Sequence, residues 1–339
     1  MPFIKKDARK PMITVTILAY DYVLAGALTG INDLLSLAGI TWNKLHDQPA
    51  QAKFKVQIAS WDKKPIYTLN NVFIMPHIAI QDVHQSDIYL VPFIAGDVEK
   101  TLEQNSGMIE FLKNLDHTSS LIGSNGTGAF FLAEAGILDN KLATTHWGFV
   151  DLFKEKYPQV KLKADQLITH DGNILCDGAG MAWFDLGLYI IELFCDHETA
   201  MGTAKAFVID SGNTQLSYSP LISKKYHSDK AVLSIQNWME EHYTTEISIE
   251  SLAVKFGLSN RSMIRRFKNS AGLTPSNYLQ EVRLDAATKY LVQSNKTIGE
   301  ITHAIGYEDI SSFTKLFKRK AGMSPSTYRA RFKPIHSQN

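Results

Sequence analysis

The sequence predicts two domains of different fold class, an α/β domain followed by an all-α domain. Residues 12–215 alternate short β-rich segments with helical segments, which is typical of a largely parallel sheet covered by helices. Residues 230–332 show helical periodicity throughout and no strand alternation. The length of 339 residues also favours two domains, because it is too great for one ordinary hydrophobic core.

The alternation in the first domain is clear from its individual segments. Strand-like segments are MITVTILAY, KFKVQIAS, SDIYLVP and SSLIGS, which begin at residues 12, 53, 86 and 119. The helical segments INDLLSLAGI and GMIEFLKNL lie between them and begin at residues 31 and 107. Ligands of such sheets bind beyond the carboxyl ends of the strands, so the turn after SSLIGS is a predicted site.

That turn lies in IGSNGTGAFFLAEAG, residues 122–136, which predicts a buried strand, a sharp turn and a helix. In hydrolases a strand-turn-helix elbow of this type holds the nucleophile at its tip. Here the tip is Gly126, which has no side chain, so the sequence predicts an elbow without a nucleophile. We expect a ligand pocket around it, lined by these candidates: Asn125, Gly126, Thr127, His146 and Trp147.

Alternatives remain open for the rings near this turn. His146 fits a hydrogen-bonded structural role as well as a place in the pocket. Trp147, Phe149 and Trp183 would hold a cation against their faces if they lined the pocket, and core packing is their other use.

Composition argues against several other classes of site. The two cysteines, Cys176 and Cys195, permit no disulfide framework or cysteine-based zinc site, and we expect both to be structural. The segment CDHE, residues 195–198, has metal-ligand residue types but no spaced partner, so we predict neither a metal nor a cofactor. No stretch approaches 18 uninterrupted apolar residues and no signal-peptide core is present, so we expect a cytoplasmic protein without a membrane partner.

Charge is distributed unevenly along the chain. Residues 1–227 carry 19 Lys and Arg against 24 Asp and Glu, a balance of −5. Residues 228–339 carry 16 against 10, a balance of +6, which suggests that only the last third meets a polyanion. Residues 216–229 are largely polar, contain Pro220 and lack periodicity, so they are predicted to be an inter-domain linker.

The helical third contains an internal repeat. Residues 248–278 and 297–328 share apolar, glycine and proline positions, with one extra residue in the turn of the second copy. Each copy predicts a helix, a tight turn and a second helix, within 248–268 and 297–318. A long helix between the copies, with Leu279, Val282, Ala286 and Tyr290 on one face, would fix their spacing.

Capping residues support these helix boundaries. Gly257 and Gly306 suit the left-handed conformation that ends a helix. The predicted amino-terminal caps are Ser259, Thr274, Asp309, Ser324 and a capping box of Thr297 with Glu300.

Two helices joined by a short turn form a helix-turn-helix, whose second helix enters the major groove of DNA. Cations on the outer face of that helix can neutralise phosphates, and arginine can also bind guanine through two hydrogen bonds. The basic residues are Arg261, Arg265, Arg266 and Lys268 in the first copy, and Lys315, Lys318, Arg319 and Lys320 in the second. The alternative is a solvated basic face on an ordinary helical bundle. Because both the turn and the basic face occur twice, the sequence favours DNA binding.

Residues 228–332 resemble the DNA-binding domain of the AraC/XylS family of transcription regulators. The matching segments are SLAVKFGLSNRSMIRRFK, GLTPSNYLQEVRLDAATKYL and IGEITHAIGYEDISSFTKLFKRKAGMSPSTYR. The resemblance implies two helix-turn-helix units that contact successive major grooves on one face of double-stranded DNA. By position it implies these contact residues: Asn260, Arg261, Ile264, Arg265, Lys268, Ser311, Ser312, Thr314, Lys315 and Lys318. Ile264 cannot hydrogen-bond, so we expect at most contact with a thymine methyl group there.

Residues 12–215 resemble the PfpI-like branch of the class I glutamine-amidotransferase superfamily, as found in GlxA-like regulators. The sequence similarity is strongest in GTGAFFLAEAGILDNKLATTHW, residues 126–147. It is weaker in LITHDGNILCDGAGMAWFDLGLYIIE, residues 167–192. The resemblance implies a flavodoxin-like fold with a cysteine at the elbow and an assisting acid early in the chain. This sequence has Gly126 and Ala27 at those places, although Asp21 or Asp33 would supply a carboxylate in a shifted alignment.

The leading interpretation is a transcription regulator without enzymatic activity. Its first domain would bind a small, nitrogenous metabolite and form a homodimer, and its second would bind DNA and, in an activator, meet RNA polymerase. The alternative is a cysteine-type hydrolase or amidase with an accessory DNA-binding tail. A regulator whose first domain only dimerises is a third interpretation.

Overall fold

A mostly parallel seven-stranded sheet forms the centre of the amino-terminal part of the molecule. The structure is a computed structural model that describes residues 12–116, 119–209, 227 and 229–332. It divides into two units, Met1–Gln215 and Leu216–Asn339. Of the predicted linker, residues 216–229, only His227 and Asp229 lie among the described residues.

The sheet confirms the predicted α/β class. The strands of this unit are β1 (Ile13–Leu18), β2 (Phe54–Ser60), β3 (Ile66–Tyr67), β4 (Phe73–Ile74), β5 (Ile78–Ala79), β6 (Ile88–Val91), β7 (Leu121–Asn125), β8 (Leu142–Ala143), β9 (Lys161–Leu162), β10 (Ile168–Asp171) and β11 (Ile174–Asp177). The large sheet has the order β10-β11-β7-β6-β1-β2-β5, and only β10 runs antiparallel to its neighbour. β3 and β4 form a separate antiparallel ribbon, and β8 pairs with β9.

Helices cover this sheet. They are α1 (Ala25–Ser36), α2 (Thr41–Leu45), α3 (Val98–Gln104), α4 (Ser106–Lys113), α5 (Ala129–Glu134), α6 (Val150–Lys156), α7 (Trp183–Phe194) and α8 (His197–Phe207). Every residue of β6, β7 and β11 is buried, which explains why these strands are continuous apolar or small-residue runs instead of alternating patterns.

The register of the sheet brings two polar residues together at its carboxyl edge. β7 pairs with β11 so that Asn125 lies opposite Asp177, each the last residue of its strand. Because parallel strands end at the same edge, both side chains lie next to the turn that begins at Gly126.

The carboxy-terminal unit is helical throughout its described residues, as predicted. Its helices are α9 (Lys230–His242), α10 (Ile249–Lys255), α11 (Asn260–Ala271), α12 (Pro275–Gln293), α13 (Ile298–Ala304), α14 (Ile310–Ala321) and α15 (Pro325–Phe332). They form two small cores, one around Met263 and Phe267 and the other around Phe313 and Phe317. Each core belongs to one copy of the sequence repeat.

The predicted helix boundaries are confirmed at the turns of both copies. Ser259 caps α11 by accepting a hydrogen bond from the N–H of Ser262, and Thr297 forms the predicted capping box with Glu300. Gly257 and Gly306 have φ values of +66° and +81°, the left-handed conformation that favours glycine.

Helix α12 buries more than the single face that the sequence predicted. Its first half contributes Leu279 and Val282 to the first core, whereas Leu284 and Leu291 enter the second core. The helix therefore buries different faces along its length, because it packs against both copies. Within the parts of the chain that the structure describes, no helix is long and apolar enough to cross a bilayer.

Candidate functional site

Gly126 lies at the tip of the predicted elbow. The chain passes from β7 into a 3-10 turn, Gly126–Gly128, and then into α5. Gly126 has a φ of +49°, and a Cβ built on it would lie 2.5 Å from Cδ2 of Phe93. The turn thus requires glycine for its backbone conformation, and the Phe93 ring occupies the space where a nucleophile's side chain would begin.

A buried carboxylate occupies the inner side of the same turn. Oδ1 of Asp177 accepts hydrogen bonds from the backbone N–H groups of Gly126 and Ala179, both at 3.1 Å. Nδ2 of Asn125 lies 2.9 and 2.8 Å from the two oxygens of Asp177 and donates to the carbonyl of Ala179 at 2.8 Å. Burial raises the pKa of Asp177 to about 8, although these hydrogen bonds act in the opposite direction.

Asp177 was not among the residues that the sequence indicated. The sequence offered Asp21 and Asp33 as sources of a carboxylate, but Asp21 accepts a hydrogen bond from the N–H of Tyr67, outside the elbow. The signal for Asp177 is its position directly after the apolar strand ILC, beside the strand that leads into the elbow. Asp177 reaches the elbow only because β11 pairs with β7, and a single sequence does not reveal which strands pair.

The five predicted pocket residues differ in accessibility. Asn125, Gly126 and Thr127 are buried, and the Thr127 hydroxyl donates to the carbonyl of Ile94 at 2.8 Å. His146 and Trp147 are partly exposed, with ring centroids 5.3 Å apart. Of the five, only these two rings are therefore accessible to solvent.

His146 makes a hydrogen bond within its own loop and a ring contact next to the elbow. Its Nδ1 accepts a hydrogen bond from the N–H of Gly148 at 3.2 Å, and its ring meets the ring of Phe93 edge-on, with centroids 5.7 Å apart. Burial lowers the pKa of His146, because it disfavours the charged imidazolium. The histidine is thus held by its own loop and also lies against the ring that covers Gly126.

The other aromatic candidates pack in the core. Trp183 is buried and its ring stacks on that of Phe184. Phe149 lies edge-on to the buried Phe130 at 6.3 Å. Trp183 belongs to the hydrophobic core of this unit, and the half-buried Phe149 packs against it.

Cys176 has a structural environment. It is fully buried, and burial raises its pKa to about 11, which is opposite to what an active thiolate requires. Among the described residues, no group of three or more His, Cys, Asp or Glu side chains is placed to hold a metal ion.

The second helices of the two repeat copies, α11 and α14, present the predicted DNA-contacting residues at equivalent positions. Phe267 and Phe317 are the matching buried residues of the two copies. Counted from them, the pairs are Arg261 with Ser311, Ile264 with Thr314, Arg265 with Lys315, and Lys268 with Lys318. All eight are exposed except Thr314, which is half-buried. Asn260 and Ser312 are also exposed.

Two of the basic residues that the sequence placed on these outer faces are paired within the domain. The guanidinium of Arg266 binds both oxygens of Asp229 at 2.6 and 2.9 Å, which lowers the pKa of Asp229 to about 2. Nζ of Lys320 lies 3.5 Å from Glu281. Both cations are thus engaged in ion pairs within the domain, although Arg266 remains exposed and Lys320 is half-buried.

Arg283 connects the two copies. From α12 it donates hydrogen bonds to the carbonyls of Tyr243 and Thr245, at 2.8 and 2.9 Å, in the segment between α9 and α10. Its guanidinium also lies 5.2 Å from the ring centroid of Tyr307, in the turn of the second copy. The Cβ of any other residue at Gly306 would meet this guanidinium at 2.9 Å. One side chain thus fixes the second turn relative to the first copy.

Comparison with known protein families agrees with the division of the chain into two units. Residues 38–193 match the DJ-1/PfpI family, and residues 252–331 match a helix-turn-helix domain family of the AraC type. The chain combines a DJ-1/PfpI domain with an AraC-type helix-turn-helix domain. This confirms both resemblances that the sequence indicated.

Full-length relatives share the combination. The HTH-type transcriptional regulator CdhR of Pseudomonas aeruginosa is 26% identical over 279 residues, which are 82% of this chain and 82% of that protein. The HTH-type transcriptional regulator GlxA of Rhizobium meliloti is 27% identical over 229 residues, 65% of this chain and 68% of the relative. Among solved structures, Drosophila melanogaster DJ-1beta is similar in fold to the DJ-1/PfpI domain, with a TM-score of 0.50 and 17% identity over 59% of this chain and 100% of that chain.

Proposed function

We propose that this protein is a sequence-specific DNA-binding transcription regulator whose DJ-1/PfpI domain is a sensor without catalytic activity. The observation that carries the proposal is the equivalence of α11 and α14. Both helices bury the same phenylalanine position and expose the same three positions around it, and these positions carry five basic side chains in total. Such a pair of outward-facing helices fits two successive major grooves.

The exposed residues divide into two kinds of contact. Arg261, Arg265 and Lys315 lie early or midway in their helices, where a side chain can reach base edges. Lys268 and Lys318 lie one turn further along and fit contact with phosphates. The basic balance of this domain supports the same interpretation.

DNA binding is tested by selection from a random-sequence pool with the full chain, followed by footprinting of the enriched sequence. We expect a motif with two parts, separated by about one helical turn, ~34 Å, and protected on one face of the duplex. Binding without enrichment of any sequence would contradict the proposal.

The elbow supports a sensory role for the first domain. A hydrolase of this class needs a nucleophile at the tip, and Gly126 supplies none. We therefore propose that a small, nitrogenous metabolite binds beside His146 and Trp147 and changes the activity of the regulator, most simply as an activator that contacts RNA polymerase.

A thermal-shift screen of the full chain against amino acids, amines and their breakdown products tests this role. A ligand present at 100 times its Kd stabilises the domain it binds by about 2.7 kcal/mol. An effector should therefore raise the midpoint temperature of that domain's unfolding transition measurably. We expect His146→Ala to abolish the shift. Turnover of an amide substrate by the wild-type protein would contradict the sensory proposal and favour a hydrolase.

We further propose that the protein acts in the cytoplasm as a homodimer formed through its first domain. Two copies double the number of DNA-contacting helices and thereby the length of sequence recognised. The sedimentation coefficient of the full chain at micromolar concentration tests the stoichiometry, and a monomer would contradict it.

A further inference from the structure

The helices α11 and α14 carry different chemical groups at equivalent positions. Three of these positions lie three and four residues apart, so in each helix they form one stripe along the surface. The stripe consists of Arg261, Ile264 and Arg265 on α11 and of Ser311, Thr314 and Lys315 on α14. Two helices that meet DNA in the same way would therefore meet it with different hydrogen-bonding groups.

The two arginines of the α11 stripe are available to bind guanine. Arg261 and Arg265 are exposed, and neither makes a hydrogen bond or an ion pair to another residue that the structure describes. The neighbouring Arg266 differs from them, because both oxygens of Asp229 hold its guanidinium. A guanidinium presents its N–H groups as a fixed fork that matches O6 and N7 of guanine. Each of the two stripe arginines can therefore bind one guanine through two hydrogen bonds.

The spacing of the α11 stripe sets the spacing of the bases that it fits. Arg261 and Arg265 are four residues apart, which is a rise of about 6 Å along the helix axis. Successive base pairs are about 3.4 Å apart, so a helix lying along the groove places the two guanidinium groups about two base pairs apart. Ile264 lies beside Arg265 on the same stripe and is 39% exposed. Its side chain can make only apolar contact, which in the major groove is offered by the methyl group of thymine.

The α14 stripe discriminates less between bases. Ser311 is exposed and Thr314 is half-buried, and a hydroxyl group both donates and accepts hydrogen bonds. Such a group fits the edge of more than one base. Lys315 is the one residue of this stripe that suits guanine, and its ammonium group is a point charge without the fixed fork of arginine.

The residues that precede the two helices increase this difference. Glu308 and Asp309 come directly before α14 and are exposed, whereas Leu258 and Ser259 come before α11. A carboxylate only accepts hydrogen bonds, and the major-groove edge of guanine also only accepts them. Asp309 is in addition engaged as the cap of α14, where it accepts a hydrogen bond from the N–H of Ser312 at 2.6 Å. The amino-terminal end of α14 thus disfavours guanine, whereas that of α11 carries no charge that would oppose Arg261.

We call the parts of the recognised DNA that α11 and α14 contact the first and the second half-site. We propose that the first half-site contains two guanines about two base pairs apart with a thymine beside them, a proposal that rests on the DNA binding proposed above. The second half-site contains at most one guanine that is read by Lys315 and tolerates substitution at its other positions. Sequence discrimination therefore comes mainly from the α11 stripe.

Binding of the full chain to the selected sequence and to all its single-base variants, at one salt concentration, tests this difference. For the wild type, replacement of either guanine of the first half-site should lower the affinity ~5- to 150-fold. Arg261→Ser gives α11 the residue that α14 has at the equivalent position, and should abolish the preference for one of these guanines. Ser311→Arg makes the reverse change and should create a preference for guanine in the second half-site. Comparing base variants within one protein cancels the uniform effect of the altered charge on phosphate attraction.

Lys268→Ser is the matched control, because it also removes one positive charge from α11 but at the position assigned to phosphate contact. It should lower the affinity for all sequences and leave the preference unchanged. Equally stringent half-sites, or an unchanged guanine preference in Arg261→Ser, would overturn this inference and leave the DNA-binding regulator standing. Failure of the wild type to enrich any sequence would overturn both. If Arg261→Ser does not show the wild-type circular dichroism spectrum, Ser311→Arg takes its place, and a second half-site without a new guanine preference would overturn the inference.

Discussion

The backbone N–H of Gly126 donates to the buried carboxylate of Asp177, at a distance of 3.1 Å. In a hydrolase the tip residue of such an elbow carries the nucleophile. Here the buried carboxyl group of Asp177 accepts the hydrogen bond of the tip's amide, and the Phe93 ring covers the place of the nucleophile. The elbow therefore differs from an active site at two points, and restoring a thiol alone would not restore catalysis.

Asp177 should make the stability of the first domain depend on pH. Its pKa is about 8 when folded, whereas an unfolded aspartate loses its proton near pH ~4. Between these values the folded state binds more protons, so the unfolding free energy falls as pH rises, by at most about 1.4 kcal/mol per pH unit, and is level above pH ~8. Urea unfolding from pH 5 to 9 should show this fall in the wild type and less of it in Asp177→Asn. Equal slopes in both proteins would contradict the environment described for this carboxyl group.

The contact between Phe93 and Gly126 should appear in a double-mutant cycle. Gly126→Ala should cost about 1–3 kcal/mol, because the Cβ overlaps the ring and the backbone has a positive φ. In a Phe93→Ala background the same substitution should cost ~1 kcal/mol less, since the overlap is gone. Additive free energies of unfolding would show that Phe93 does not cover the elbow.

Gly126→Cys should show no amide turnover.

The sequence predicted the architecture well and the polar contacts of the elbow poorly. Strand and helix patterns, together with the capping residues Ser259 and Thr297, are local signals and were confirmed. Asp177 lies 51 residues beyond Gly126 and meets it only because β7 pairs with β11. Arg266 looked like any other basic residue of its helix, since its partner Asp229 is 37 residues away. Pairings over such distances depend on tertiary structure, which local periodicity does not encode.

Lysine substitutions should separate phosphate contacts from structural ones. Lys318 is exposed, whereas Lys320 lies 3.5 Å from Glu281 within the domain. Lys318→Ala should weaken binding to selected and random DNA alike, and should reduce the slope of log K against log salt by roughly one. Lys320→Ala should change that slope less. Titrations from ~50 to ~200 mM salt measure both, and identical slopes for the two variants would contradict the assignment.

Arg283 should couple the two DNA-contacting helices without touching DNA. Arg283→Lys retains the charge but loses the paired hydrogen bonds to Tyr243 and Thr245. We expect the carboxy-terminal unit to lose about 1–3 kcal/mol of unfolding free energy. Affinity for a two-part site should fall more than affinity for either half alone. An equal loss on the half-sites would show that Arg283 does not set the spacing of the helices.

We propose that α11 recognises DNA bases through its outer face, and the adjacent residues Arg265 and Arg266 distinguish base contact from a structural role. Arg265 is exposed, whereas Arg266 is held by Asp229. Binding of both alanine variants to the selected sequence and to all its single-base variants should be measured at one salt concentration. Arg265→Ala should lose about 1–3 kcal/mol on the selected sequence and relax preference at one or two base pairs, while Arg266→Ala keeps the wild-type preference. If Arg265→Ala retains the full sequence preference, α11 is not the base-contacting helix and the account is wrong.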